Sequence, residues 1–133
     1  MKRRITCYLI FCLLLVFTTT EAHNDSSTFE LRNGFVIIEA TLDGKFGHYI
    51  LDSGAPGLVL NSKRFNLTGT ELELGGVGGS MLGKEVTGHS FKWESVGFQE
   101  IKAIAIDLSY LESATGLNIS GLVGIDLFKG HDI

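Results

Sequence analysis

The sequence predicts an all-β domain, a closed barrel or sandwich of short strands with one short helix near the C-terminus. Two observations carry that expectation. Apolar and polar residues alternate with period two, most clearly between Phe35 and Leu42, where Val36, Ile38, Ala40 and Leu42 share one face. Seventeen glycines stand against one proline, and they separate many short β-rich runs.

In chain order, "MKRR" is basic, the run "ITCYLIFCLLLVFTTT" is uncharged, and Thr20 and Ala22 are small residues ahead of a polar stretch. This is the layout of a signal peptide over residues 1–22, and it predicts export to a periplasm or to the outside. An uncleaved anchor is the alternative, and it is the one route by which a membrane enters the reading. Removing Lys2, Arg3, Arg4 and Glu21 leaves 8 basic residues (11 − 3) and 14 acidic ones (15 − 1), a net charge of −6. That balance argues against nucleic acid as a partner. Both cysteines, Cys7 and Cys12, sit in the leader, so the mature chain has neither a disulfide nor thiol chemistry and depends on an apolar core. Its length suits one such core and not two.

Residues 23–33 read as a polar N-terminal segment, loose over 23–28, and the domain occupies 34–133. Asp43–Gly44 marks a hairpin. The return strand from Lys45 delivers Asp52 at its end, "GLVLN" is the next strand, and "SKRFN" is a turn. "TELELG" alternates again before the glycine-rich "GVGGSMLGKE". "EVTGHSFKW", "ESVGF" and "EIKAIAIDLS" read as three strands, "YLESATGLN" as a loop or short helix, "GLVG" as a short strand and "IDLFKG" as a helical segment. A last strand opens at His131 and has nothing to run along by Ile133, so the chain reads as a fragment or as lacking its final strand.

A carboxylate at the end of a buried strand must be paired, hydrogen-bonded or put to work. "ILDSGA" (Ile50–Ala55), followed much later by "GLVGIDLF" (Gly121–Phe128), resembles the retropepsin-like aspartyl protease family in its exported bacterial branch. The resemblance implies an aspartic-type endopeptidase on a retropepsin-like barrel, with Asp52 as a catalytic residue. It assigns Ser53, Gly54 and Ala55 to support of the catalytic loop, with the Ser53 hydroxyl reaching across to a partner loop. "GLVG" would pass under the Asp52 loop, with Gly121 and Gly124 allowing close packing. "LGGVGGSMLGK" resembles the substrate-binding flap, with Gly76, Gly78 and Gly79 as backbone contacts.

Peptide hydrolysis of this kind uses two carboxylates around one water. Held close, they cannot both ionise, so one serves as base and the other as acid. The sequence has a single Asp-Ser-Gly triplet. Asp126 reads as a helix cap or first-turn acid. The second aspartate must therefore come from another copy in a homodimer, or from a second lobe of a longer chain. The substrate is a peptide or protein, and the mechanism needs no cofactor and no metal.

The rival expectation is a non-catalytic peptide- or protein-binding module on the same fold in the bacterial envelope. Other patterns are weak. "GGSMLGKE" nearly spells a phosphate-binding loop, but Glu85 stands where a serine or threonine should hold magnesium. His23, His48, His89 and His131 have no metal-ligand spacing. Trp93 reads as a packed strand residue. Asn24, Asn66 and Asn118 begin N-x-[ST] patterns that matter only in a eukaryotic secretory route. Pro56 departs from the small polar residue more usual after the Asp-Ser-Gly-Ala run, and it removes a backbone donor there.

Overall fold

The structure is a computed structural model that describes residues 28–76 and 79–129. The proposed signal peptide, Gly78 and the strand expected from His131 lie outside the described residues. The chain is mostly β, with strands β1 (Phe29–Arg32), β2 (Phe35–Leu42), β3 (Lys45–Leu51), β4 (Leu58–Asn61), β5 (Thr70–Gly76), β6 (Gly79–Trp93), β7 (Val96–Ile106) and β8 (Ile119–Val123). Among the described residues, one helix, α1 (Ser109–Thr115), precedes β8, and a 3₁₀ turn spans Ile125–Phe128.

The strands form one mixed sheet in the order β1-β2-β3-β8-β4-β7-β6-β5. The sheet curls until β2 meets β6, but only Thr41 with Lys92 and Leu42 with Phe91 pair there. The closed barrel expected from sequence is therefore met in part. Six strands form a ring with a narrow seam, while β1 and β5 stand outside it as edges. The seam is reinforced at the β2–β3 turn. The Asp43 amide donates to the Ser90 carbonyl at 2.8 Å, and the Asp43 carboxylate accepts from the Ser90 amide and contacts His89 Nδ1, both at 2.8 Å. These contacts hold the Asp43 carboxyl below its ordinary range, the Ser90 amide contributing most.

Period-two alternation sends the two faces of the curled sheet to two apolar clusters. Ile38, Leu42, Tyr49, Leu60, Phe91 and Trp93 fill one. Ile37, Ile50, Val59 and Ile119 form the other, covered by Leu108 and by Leu111 of α1. Each aliphatic or phenylalanine side chain so buried contributes roughly 1.5–3 kcal/mol of transfer free energy. Trp93 packs in the first cluster against Phe128, ring centroids 5.4 Å apart, as a strand residue should.

The structure differs from the sequence reading in three places. "FELR" forms β1, within the stretch assigned to the polar N-terminal segment. The hairpin extends β6 far upstream, so "GSMLGK" is strand and Lys84 pairs with Glu71 and Ala105, unlike a phosphate loop. Finally, "VGFQEIKAIAI" is one strand rather than two. Its polar Gln99–Glu100 step is a bulge in a continuous ladder. Glu100 takes φ +52° and Gly88 on β6 takes φ +81°, and the register shifts on either side of His89.

Candidate active site

β3 ends at Leu51 and β4 begins at Leu58, yet the two do not pair with each other. β8 enters between them, parallel to β3 and antiparallel to β4, so that Val123 is the register partner of both Leu51 and Leu58. The loop carrying Asp52 therefore arches over the end of β8. Two backbone bonds fasten it there: the Asp52 amide donates to the Val123 carbonyl at 2.9 Å, and the Gly124 amide donates to the Gly57 carbonyl at 2.6 Å.

This crossing explains the glycines of "GLVG". A Cβ on Gly124 would lie 2.1 Å from the Ala55 carbonyl oxygen and 2.9 Å from Gly57 backbone atoms. One on Gly121 would lie 2.3 Å from the Val59 carbonyl oxygen. No side chain can be accommodated at either place without moving backbone, and the strand passes beneath the loop only because both are glycine.

Within the loop, the Asp52 carboxylate accepts a hydrogen bond from the Gly54 amide at 2.8 Å, and the Ala55 amide donates to the Asp52 carbonyl at 3.1 Å. Asp52 is half-buried, Ser53 and Gly54 are exposed, and Ala55 is buried. One carboxylate oxygen is thus positioned by backbone. Among the described residues, no hydrogen bond or ion pair joins Asp52 to a second carboxyl, and none is made by the Ser53 hydroxyl. Asp126 lies in the first turn of the 3₁₀ segment and pairs with Lys129 at 2.9 Å.

A pocket of about 260 Å³ opens beside Asp52, walled by Phe35, Leu51, Tyr110, Leu111 and Leu122. Sequence reasoning named none of these as site residues. α1 carries two of them to the site. Its C-terminal Gly116 is left-handed (φ 70°), and the Ala114 carbonyl accepts from Asn33 Nδ2 at 2.9 Å, which ties the helix to the β1–β2 turn. Its other anchor is Asn61, fully buried, which donates to the Ile119 carbonyl at 2.8 Å and accepts from the Lys63 and Leu108 amides. Tyr110 is largely exposed at the pocket mouth.

The glycine-rich hairpin is present as β5–β6, with Gly76 opposite Gly79 and Gly79 at φ +120°. Its register carries the tip past the Lys84–Ala105 pair, toward the Asn61 end of β4 rather than the Leu58 end. The pocket it lines, with Phe65, Leu67 and Leu82, is separate from the one beside Asp52. The structure thus brings together Asp52, Ser53, Gly54 and Ala55 and leaves Gly76 and Gly79 in a separate element. No group of three His, Cys, Asp or Glu among the described residues is placed to hold a metal. No family model and no curated protein matches the chain.

Proposed function

We propose that this chain supplies one aspartate of an aspartic-type endopeptidase of the retropepsin-like kind, acting after export on an extended peptide. The observation that carries the reading is the Asp52 loop. It is a carboxylate on a tight corner, pinned to β8 by two backbone bonds, with glycines at zero clearance beneath it and an apolar pocket alongside. Catalysis needs such preorganisation, because a carboxylate that is already aimed requires no rearrangement as charge develops.

In this mechanism Asp52 and an equivalent aspartate face one another across a shared water. The ionised carboxylate takes a proton from the water as its oxygen attacks the peptide carbonyl. The protonated one donates its proton to the carbonyl oxygen. The tetrahedral intermediate then collapses: the carboxyl that took the water proton passes it to the nitrogen, the C–N bond breaks and the amine leaves, and a hydroxyl proton of the intermediate returns to the other carboxylate. Ser53, exposed and without a hydrogen-bond partner among the described residues, reaches the opposing loop. The pocket walled by Phe35, Tyr110 and Leu122 takes an apolar substrate side chain. The β5–β6 hairpin points toward the Asn61 end of β4, away from Asp52, so this reading assigns the substrate-holding role to the pocket beside Asp52 and not to Gly76 and Gly79.

The test is Asp52→Asn in the full chain with a mixture of unstructured peptides at acidic pH. Loss of cleavage with the fold intact supports the reading, and unchanged cleavage removes it.

One observation favours a second reading, a non-catalytic peptide-binding module: among the described residues β1 is paired with β2 alone, which leaves an edge to which a peptide strand can add. A statine-type transition-state mimic separates the two, since it binds tightly only where two carboxyls share a site.

A further inference from the structure

Among the described residues, the first strand of the sheet pairs along one edge only, and its sequence complements itself. β1 is Phe29-Glu30-Leu31-Arg32, paired with β2 on one side only. The tight Asn33–Gly34 turn closes on the Arg32–Phe35 pair. In an antiparallel ladder the backbone groups of successive residues point to alternate sides, so Glu30 and Arg32 turn theirs toward β2 while Phe29 and Leu31 turn theirs outward. Those two residues also expose most of their side chains, 65% for Phe29 and 68% for Leu31. An exposed apolar edge of this kind is a template for another strand.

We propose that β1 pairs antiparallel with β1 of a second copy of this chain about a two-fold axis through Leu31. In that register Leu31 meets Leu31, and their outward backbone groups form two hydrogen bonds. Glu30 of each copy lies opposite Arg32 of the other, in the closely spaced, non-hydrogen-bonded position where side chains approach most. Glu30 and Arg32 already share one face, in contact at 2.7 Å within a chain. Pairing merges two such contacts into a cluster of two carboxylates and two guanidiniums. A cavity of about 240 Å³ on the same face, lined by Glu30, Glu39 and His48, adds a further carboxylate for the incoming Arg32. Glu39, whose in-chain contact with His48 is a long 3.8 Å, lines that cavity. Charge complementarity of this isologous form selects a second copy over an unrelated strand.

This assembly differs from the one that peptide hydrolysis needs. Leu31 aligns through Val36 with Leu51, the neighbour of Asp52, two strand spacings away. At about 4.8 Å per spacing, an axis at the β1 edge leaves the two Asp52 residues roughly 24 Å apart. Edge pairing therefore joins two chains without forming a catalytic dyad, and it stands or falls independently of the proposed activity.

The test is disulfide trapping in the full chain carrying Cys7→Ser and Cys12→Ser, with Leu31→Cys as the sole cysteine. Directly opposed residues in a hydrogen-bonded pair have Cα atoms about 5.5 Å apart, within disulfide range. The expected result is a chain dimer on non-reducing gels. Adding Glu30→Arg places like charges opposite each other and cuts trapping about tenfold. The further swap Arg32→Glu restores it. No dimer from Leu31→Cys, trapping indifferent to Glu30→Arg, failure of the double swap to restore it, or a cross-link to a protein of another mass would each overturn the proposal.

Discussion

Glycine is used in opposite ways in two regions of the molecule. Where β8 threads between β3 and β4, Gly121 and Gly124 are there because backbone occupies the space a Cβ needs. Toward the tip of the β5–β6 hairpin, an added Cβ on Gly75 or Gly79 meets nothing within 4 Å. Only nearer the hairpin base does packing return, at Gly83, where Ile106 and the Ala105 carbonyl lie within 3.1 Å. The hairpin also leaves Met81 and Leu82 exposed, whereas Val123 and Tyr49 at the crossing are fully buried. The same residue type therefore fixes the Asp52 corner in one place and leaves the hairpin arm sparsely packed in the other.

The largest effect expected from this contrast is at the crossing. Gly124→Ala forces backbone apart and should cost about 3 kcal/mol in urea unfolding, with Gly121→Ala close behind. Tolerance of both within about 0.5 kcal/mol would break the contrast, since that is what an unremarkable surface change costs. Next comes Asn61→Ala, which strips partners from the Ile119 carbonyl and the Lys63 and Leu108 amides and should cost about 2 kcal/mol. It also loosens α1, so it should weaken binding of apolar peptides at the pocket beside Asp52.

A smaller, pH-dependent effect belongs to the seam. The folded-state pKa of Asp43 lies below its ordinary 3.8. Its contribution is therefore complete above that ordinary value and is lost as pH falls through the lower folded one. The carboxylate is nearly half exposed, so the contribution is under about 1 kcal/mol. Melting temperatures at pH 6 and pH 2.5 should show Asp43→Asn less stable than wild type at pH 6, with the gap narrower at pH 2.5. A gap undiminished at acid would mean the seam is held by packing alone. The smallest effect is Gly75→Ala on the open hairpin, expected to shift unfolding by no more than about 0.5 kcal/mol.

Some of this was readable from the sequence, for physical reasons. Strand alternation from Phe35 to Leu42 is a local signal, and it placed Ile37 and Ile38 on opposite faces as observed. The requirement for glycine at positions 121 and 124 was legible because the Asp-Ser-Gly-Ala run and "GLVG" occur together. What stayed hidden depends on the path of the chain. Tyr110 and Phe35 share a pocket only because β8 returns α1 to the β1–β2 turn, and no local pattern encodes that encounter. β1 escaped because four residues give too little alternation. β7 was divided because Gln99–Glu100 spells a turn, whereas the ladder absorbs it as a bulge opposite Gly88.

The most direct measurement of the central claim is peptide cleavage by the full chain with and without Asp52→Asn, with circular dichroism alongside. Asparagine keeps the oxygen that accepts from the Gly54 amide, so the fold should be unchanged. The account predicts cleavage by the wild-type chain and at least a 100-fold loss in the variant, the scale on which acid–base groups contribute. Equal cleavage by the two proteins would contradict it.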